Sequence, residues 1–397
     1  MTPAGGAWLK GGRVLVAGSL IAALYGTLVV AGIVYRAGEA PVGDYLAFHA
    51  AGRLAMAGEA AQAYDWAALH AAQAAIIGRP PPGDLGWLNP PGYFFAVIPF
   101  SQLPYRAGWL AWILATGFAF ALAAWAVLPR AAAVAAALAV PPVLFTASVG
   151  QNGLLTAALL GASLALLDRR PAAAGIAIGL LTIKPQLGLL FPLLLVAGGR
   201  WRAFGSAAVT ALLLAAAASL AFGGESWTAF LASGSGNAAR MLAAGQDVSP
   251  RIQSVHAFVM RATGWEGLAV LLHGAVALAA AAAALRLWLR RPEGPEEGRA
   301  AAAIAAAFLA TPYVWGYDMP AIAMAALFLA RAGLRDGFLA REKGLIVLAC
   351  GLPALLAIQP HPLVGPASWL LILALAWRRD RASRLSPARG GSTSAGT

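Results

Sequence analysis

The chain has 397 residues, 60% of them hydrophobic and only 11% charged, with a formal charge of +12. A soluble domain carries about 25% charged residues, and here the deficit runs along the whole length, which excludes a soluble protein with one anchor. The basic residues lie in short loops between apolar runs and in the tail, without interleaved aromatics, so they read as topogenic charge and not as a nucleic-acid surface. The single cysteine, Cys350, excludes an intramolecular disulfide and signals neither a zinc nor an iron–sulfur site.

The first apolar run, Val14 to Tyr35, is longer than a secretory h-region of about 7–15 residues and long enough to span a bilayer, so it reads as an uncleaved first helix. A long polar segment follows over 36–106. It holds two short amphipathic helices (45–57 and 62–77), a Pro/Gly turn at Arg79–Gly83 and an apolar stretch, Tyr93–Leu103, suited to the membrane interface. Further spans are expected near 107–128, 131–147, 153–167, 172–183, 188–198, 203–222, 267–289, 300–314, 319–330, 344–358 and 364–377. The fold class is thus an all-α polytopic membrane protein of about twelve spans (10–13), several short enough to be tilted, broken or re-entrant. A second long outer segment covers 223–266, Arg291–Arg299 reads as a hydrophilic hinge, and 385–397 as a disordered cytoplasmic tail. The Ala-rich stretches 131–139 and 277–284 suit close helix packing. With the N-terminus in the cytoplasm, 20 of the 28 Lys and Arg residues fall inside, whereas the 16 carboxylates divide nearly evenly. Both termini are therefore expected in the cytoplasm.

The unusual polar motifs all fall where apolar runs end, and this topology puts them at one outer face. Asp44 follows the first span. Its carboxylate can accept a proton from an alcohol or cap the helix beginning at Tyr45. His49 and Arg53 follow it at helical spacing, with His49 open to a structural or a binding role. Lys184, in Lys184-Pro185-Gln186, is one of only three lysines, either snorkelling or meeting a phosphate. Gln151 and Asn152, between Gly150 and Gly153, offer amides to sugar hydroxyls or form an ordinary turn. Arg251, Ser254, His256 and Arg261 belong to the most polar outer stretch, where the arginines suit a phosphate. Asp318, after Tyr317, is a helix cap or a second acid. Asn89 and Tyr93 flank Pro90-Pro91, and Trp66, Trp87 and Trp315 serve a sugar-stacking surface or the aromatic belt.

No Walker A loop, dinucleotide Gly pattern, His-Glu-x-x-His or Gly-x-Ser-x-Gly occurs. The ordered blocks Gly43-Asp44-Tyr45 with Tyr64-Asp65, Asn89-Pro90-Pro91 leading to Leu103-Pro104-Tyr105, Gly150-Gln151-Asn152-Gly153, Lys184-Pro185-Gln186, Gln253-Ser254 and Thr311-Pro312-Tyr313 with Tyr317-Asp318 resemble glycosyltransferase family 87, of GT-C architecture. The resemblance implies a GT-C-like helical bundle of the inner membrane. It also implies a polyprenyl-phosphate sugar donor, typically mannose, and a glycolipid or glycan acceptor at the outer face. Asp44 becomes the catalytic base of an inverting transfer. Gln151, Asn152, Lys184, Gln186, Asn89, Tyr93, Arg251, Ser254, His256, Arg261, Tyr317, Asp318, His49 and Asp65 become the substrate-binding candidates. No cofactor or metal ligand set is required, although Asp44 and Asp65 could share a divalent cation. A secondary transporter or a lipid-handling protein of envelope assembly is the alternative. A transporter normally keeps ionisable groups near the bilayer midplane, and His273 alone is so placed here.

Overall fold

The computed structural model describes residues 42–81, 83, 85–243, 251–289 and 296–385. The expected first span, most of the Arg291–Arg299 hinge, residues 244–250 of the second outer segment and the tail beyond 385 lie outside them. Among the described residues the protein is all-helical, with one isolated antiparallel bridge, Ile252 to Trp315, and no named strand.

The first outer segment forms α1 (Tyr45–Met56), a 3-10 turn (Ala60–Tyr64), α2 (Trp66–Ile77), a second 3-10 turn (Pro91–Tyr93) and α3 (Phe94–Ser101). The first helix is no surface element. Tyr45 to Gly52 are all buried, against Tyr93, Phe94 and Trp112 among others. Phe48 meets Trp87, Tyr93 and Trp112 edge-on, the geometry aromatic quadrupoles prefer. A compact aromatic cluster therefore anchors the segment on which Asp44 sits.

Among the described residues four helices are long and apolar enough to cross a membrane: α4 (Tyr105–Val127), the Trp201–Gly234 part of a longer helix, Glu266–Leu289, and the run Gly316–Asp336. They rise to five if the bent pair α5 (Ala131–Leu138) and α6 (Pro141–Val149) is one span, broken by 59°. The described residues, which exclude the expected first span, thus support a helical membrane protein but not the full twelve spans, several of which were expected to be broken, and proline breaks some of them. Helices α6, α8 (Pro171–Leu180), the single turn α9 (Pro185–Gly188) and α10 (Phe191–Ala197) all carry proline at the first or second position, where the missing N–H costs nothing and the preceding helix must stop. Between α6 and α8 runs α7 (Gly153–Leu166). Hydropathy alone joins or extends such pieces; the backbone separates them.

The remaining helices are α11 (Trp201–Ala243), α12 (Val255–Thr263), α13 (Glu266–Leu289), α14 (Glu296–Leu309), α15 (Ala321–Asp336), α16 (Glu342–Gly351) and α17 (Val364–Leu385). Helix α11 is broken at Gly223, whose φ of +74° lies outside the helical region. The last residues of the predicted hinge, Glu296 to Arg299, belong to α14. The predicted span 300–314 ends at Leu309 and is a core helix: every residue from Ala300 to Leu309 is buried, save none. Small residues make the tightest contact elsewhere too. A side chain at Gly175 or Gly179 of α8 would collide with backbone or side-chain atoms of Ala203, Ser206, Ala207 or Thr210 on α11, the close approach that Gly-x-x-x-Gly permits. The Ala-rich α5, by contrast, is mostly exposed or half-buried.

Candidate active site

Three chain segments meet at the start of α1. The turn Gly150–Asn152 lies between α6 and α7, and the Trp112 indole N–H donates to the Gly150 carbonyl at 3.0 Å. Thr146 Oγ1 donates to the Tyr317 carbonyl at 2.7 Å. A Cβ at Gly153 would collide with that same carbonyl oxygen, and one at Gly43 would come within 2.8 Å of the Val149 carbonyl oxygen. The glycines of two polar motifs are thus explained by backbone contact, which brings Asp44, Gln151 and the Tyr317-Asp318 turn together.

Asp44 precedes α1 but makes no side-chain capping hydrogen bond. Its carboxyl is half-buried and bonded instead by the Gln151 side chain. Burial pushes its pKa up to about 6, a rise opposed by the Gln151 bond and by the charges of Arg251 and Lys184, and assisted by Asp318. The group therefore ionises near neutrality, the range suited to a general base. Asp65 behaves otherwise. It accepts the Ala68 N–H at 2.9 Å as the cap of α2 and is exposed.

Lys184 follows the 3-10 turn Leu181–Ile183, and its ammonium reaches back to two motifs. It is ion-paired with Asp318 Oδ1 and donates to Asn152 Oδ1 at 3.1 Å. It also stands 5.2 Å from the Tyr317 ring centre. Asp318 Oδ2 accepts the Trp315 N–H at 3.0 Å, which fits its reading as a cap. Asn152 Nδ2 donates onward to Asn89 Oδ1 at 3.4 Å, and the Asn152 N–H donates to Gln151 Oε1 at 2.9 Å. Asn152 is buried, part of an internal polar chain and not a displayed amide. Gln186 is held through its carbonyl, which accepts from Thr311 Oγ1 at 3.1 Å.

Arg251 is exposed and close enough to influence Asp44. Its carbonyl accepts the Gly316 N–H at 2.9 Å, and the Gln253 N–H donates to the Val314 carbonyl at 2.6 Å. Ser254 caps α12 by accepting the Ala257 N–H at 3.1 Å. His256 is buried edge-on against His273, 6.5 Å between ring centres. Burial lowers its pKa, with Glu266 opposing. Arg261 is exposed two turns along α12, about 10 Å of helix from Ser254. His49 is buried, 3.5 Å from the Tyr45 hydroxyl and edge-on to Tyr105. Burial first, then Arg53, holds its pKa down at about 4. Tyr93 lies in the aromatic core, stacked on Trp87. The structure thus brings Asp44, Gln151, Asn152, Asn89, Lys184, Asp318, Tyr317 and Arg251 into one centre. It puts Asp65, His49, Tyr93, Ser254, His256 and Arg261 into caps, core or surface. Thr146 and Trp112, which tie the centre's turns together, carried no signal in the sequence beyond lying near polar motifs.

Among the described residues no group of three or more His, Cys, Asp or Glu side chains could hold a metal ion.

A search of curated proteins and a search of solved structures each return no match. The profile of glycosyltransferase family 87 matches residues 87–312. That stretch contains Asn89, Gln151, Asn152, Lys184 and Arg251 and stops short of Asp44 and Asp318 on either side. With more than half its length matched, the chain belongs to glycosyltransferase family 87.

Proposed function

We propose that this membrane glycosyltransferase moves a sugar, of the mannose class, from a polyprenyl-phosphate donor to a hydroxyl acceptor, with inversion at the anomeric carbon, at the outer face of the cytoplasmic membrane. The observation that carries the mechanism is Asp44: a half-buried carboxylate that makes no capping bond, titrates near 6 and lies within the field of two cations. In its ionised form it removes the acceptor's proton as the hydroxyl attacks through an oxocarbenium-like transition state. The new glycosidic bond forms at the anomeric carbon as the bond to the phosphate oxygen breaks. The polyprenyl phosphate departs as a weakly basic dianion, so positive charge is needed there and a general acid is not. Arg251 is the exposed cation of the centre and suits a phosphate's geometry. The orientation inferred from the distribution of Lys and Arg puts this end of the molecule outside the cytoplasm.

The test is transfer in proteoliposomes from radiolabelled polyprenyl-phosphate-mannose to a crude lipid extract. Wild type should form a labelled product of inverted configuration, and Asp44→Asn should not. A product retaining the donor's configuration overturns the single-displacement mechanism, and full transfer by Asp44→Asn removes Asp44 as the base.

A further inference from the structure

Lys184 has three donor hydrogens, and the surroundings of its ammonium are accounted for. Asp318 Oδ1 and Asn152 Oδ1 take hydrogen bonds, and the Tyr317 ring stands 5.2 Å away. The side chain is only 10% exposed, and that of Asp318 only 1%. Both oxygen partners are fixed in turn, Asp318 by the Trp315 N–H and Asn152 by Asn89. A phosphate could reach this ammonium only by splitting a buried ion pair, which would strand the Asp318 carboxylate without its countercharge. The pair does something else. Asp318 ends the segment Val314–Asp318, and that segment is tied to Arg251–Gln253 by two backbone hydrogen bonds, Gln253 N–H to Val314 and Gly316 N–H to Arg251.

We propose that Asp318 is a positioning residue: with Lys184 it forms a charge-neutral strut that fixes Val314–Asp318 and thereby sets Arg251 beside Asp44, so that Arg251 meets the donor's phosphate and Lys184 does not. The phosphate part of this inference rests on the polyprenyl-phosphate reading above; the strut does not. Charge balance supports it. Lys184 and Asp318 act on Asp44 with opposite sign and so offset one another, Arg251 acts in the same sense as Lys184, and Gln151 and Tyr317 also lie beside it.

Four variants test it: Asp318→Asn, Lys184→Met, the double Lys184→Met/Asp318→Leu, and Arg251→Met. Donor KM and kcat are measured in proteoliposomes, and the Asp44 carboxyl is titrated by infrared difference spectroscopy, with Asp44→Asn identifying its band. The band should titrate at lower pH in Asp318→Asn and at higher pH in Lys184→Met. In the double variant an apolar pair of similar volume takes over the packing that holds Val314–Asp318, so the band should return to the wild-type position. Donor KM should stay within about threefold of wild type in the double variant and rise about tenfold or more in Arg251→Met, the loss expected for a charge-assisted phosphate contact. If the double variant raises donor KM as far as Arg251→Met does, Lys184 is a phosphate contact and the proposal fails. It fails equally if the Asp44 band in the double variant shifts as in Lys184→Met. Should the double variant not fold, the nearly isosteric Asp318→Asn decides, an unmoved band overturning the strut. Absence of transfer from wild type would refute the donor assignment while the titration still tests the strut.

Discussion

The run Gly316–Asp336 begins at one cluster of buried charge and ends at another, about 25 Å apart along the helix, and the two are built on opposite principles. At the Asp336 end, Glu342 accepts two hydrogen bonds of 2.6 Å from Arg379 and a third, from the Leu339 N–H, at 2.9 Å. Glu297 is paired with Arg335 at 2.7 Å and Arg331 at 3.3 Å. Glu342 is saturated by a guanidinium fork, the strongest arrangement available to it, and Glu297 is paired with both arginines through one oxygen. At the Asp318 end, Asp318 is paired directly with a cation, the Lys184 ammonium. Asp44 receives an amide from Gln151 and feels its cations at a distance. A carboxylate clamped by arginine is chemically silent, and one given an amide and a distant cation keeps the ability to take a proton.

That contrast can be broken from either side. The largest effect is expected from Asp44→Asn, which should lower transfer by about two to four orders of magnitude, the contribution of a general base, with the helical circular dichroism unchanged. Glu342→Gln should do the converse, costing about 3–5 kcal/mol of stability by stranding a buried Arg379, read as a fall in thermal midpoint in detergent. Gly153→Ala should lose about 1–3 kcal/mol and transfer together, since its methyl group intrudes on the Tyr317 carbonyl.

The pH dependence sharpens the comparison. Asp44 acts ionised, so kcat/KM should fall as pH drops through about 6. Its folded pKa lies above the ordinary carboxyl value of 3.8, so the folded state binds more protons than the unfolded one between those values. Stability from this group is therefore present below about 4 and lost as pH rises through 6. Asp44→Asn should be at least as stable as wild type at pH 8, and any advantage should vanish below pH 4. The smallest effect is expected at Asp65. Asp65→Ala should cost about 1 kcal/mol, the price of a helix cap, measured by thermal unfolding, with transfer per folded molecule unchanged.

Much of the centre was legible because polar residues at the ends of apolar runs have few reasons to be there. Asp44, Gln151, Lys184, Arg251 and Asp318 come from five separate motifs and converge. What spacing cannot report is which way a side chain turns. Asp44 and Asp65 both precede a helix, yet only Asp65 caps one; Asn152 looks like a displayed amide and points into the core; His49 lies on the helix that follows Asp44 and packs between tyrosines. The bounds of the shorter spans were hard to read for a related reason, since hydropathy sums side chains while Pro141, Pro171 and Pro185 act on the backbone.

The break at Gly223 carries a last consequence. A straight helix from Trp201 to Ala243 would extend about 65 Å, more than twice the hydrocarbon thickness of a bilayer. Ended at Phe222, its first limb measures about 33 Å, close to that thickness. A single residue without a side chain thus acts as a ruler mark. Shifting it by one turn would leave a mismatch of about 5 Å for the helix to relieve by tilting or the lipid by stretching.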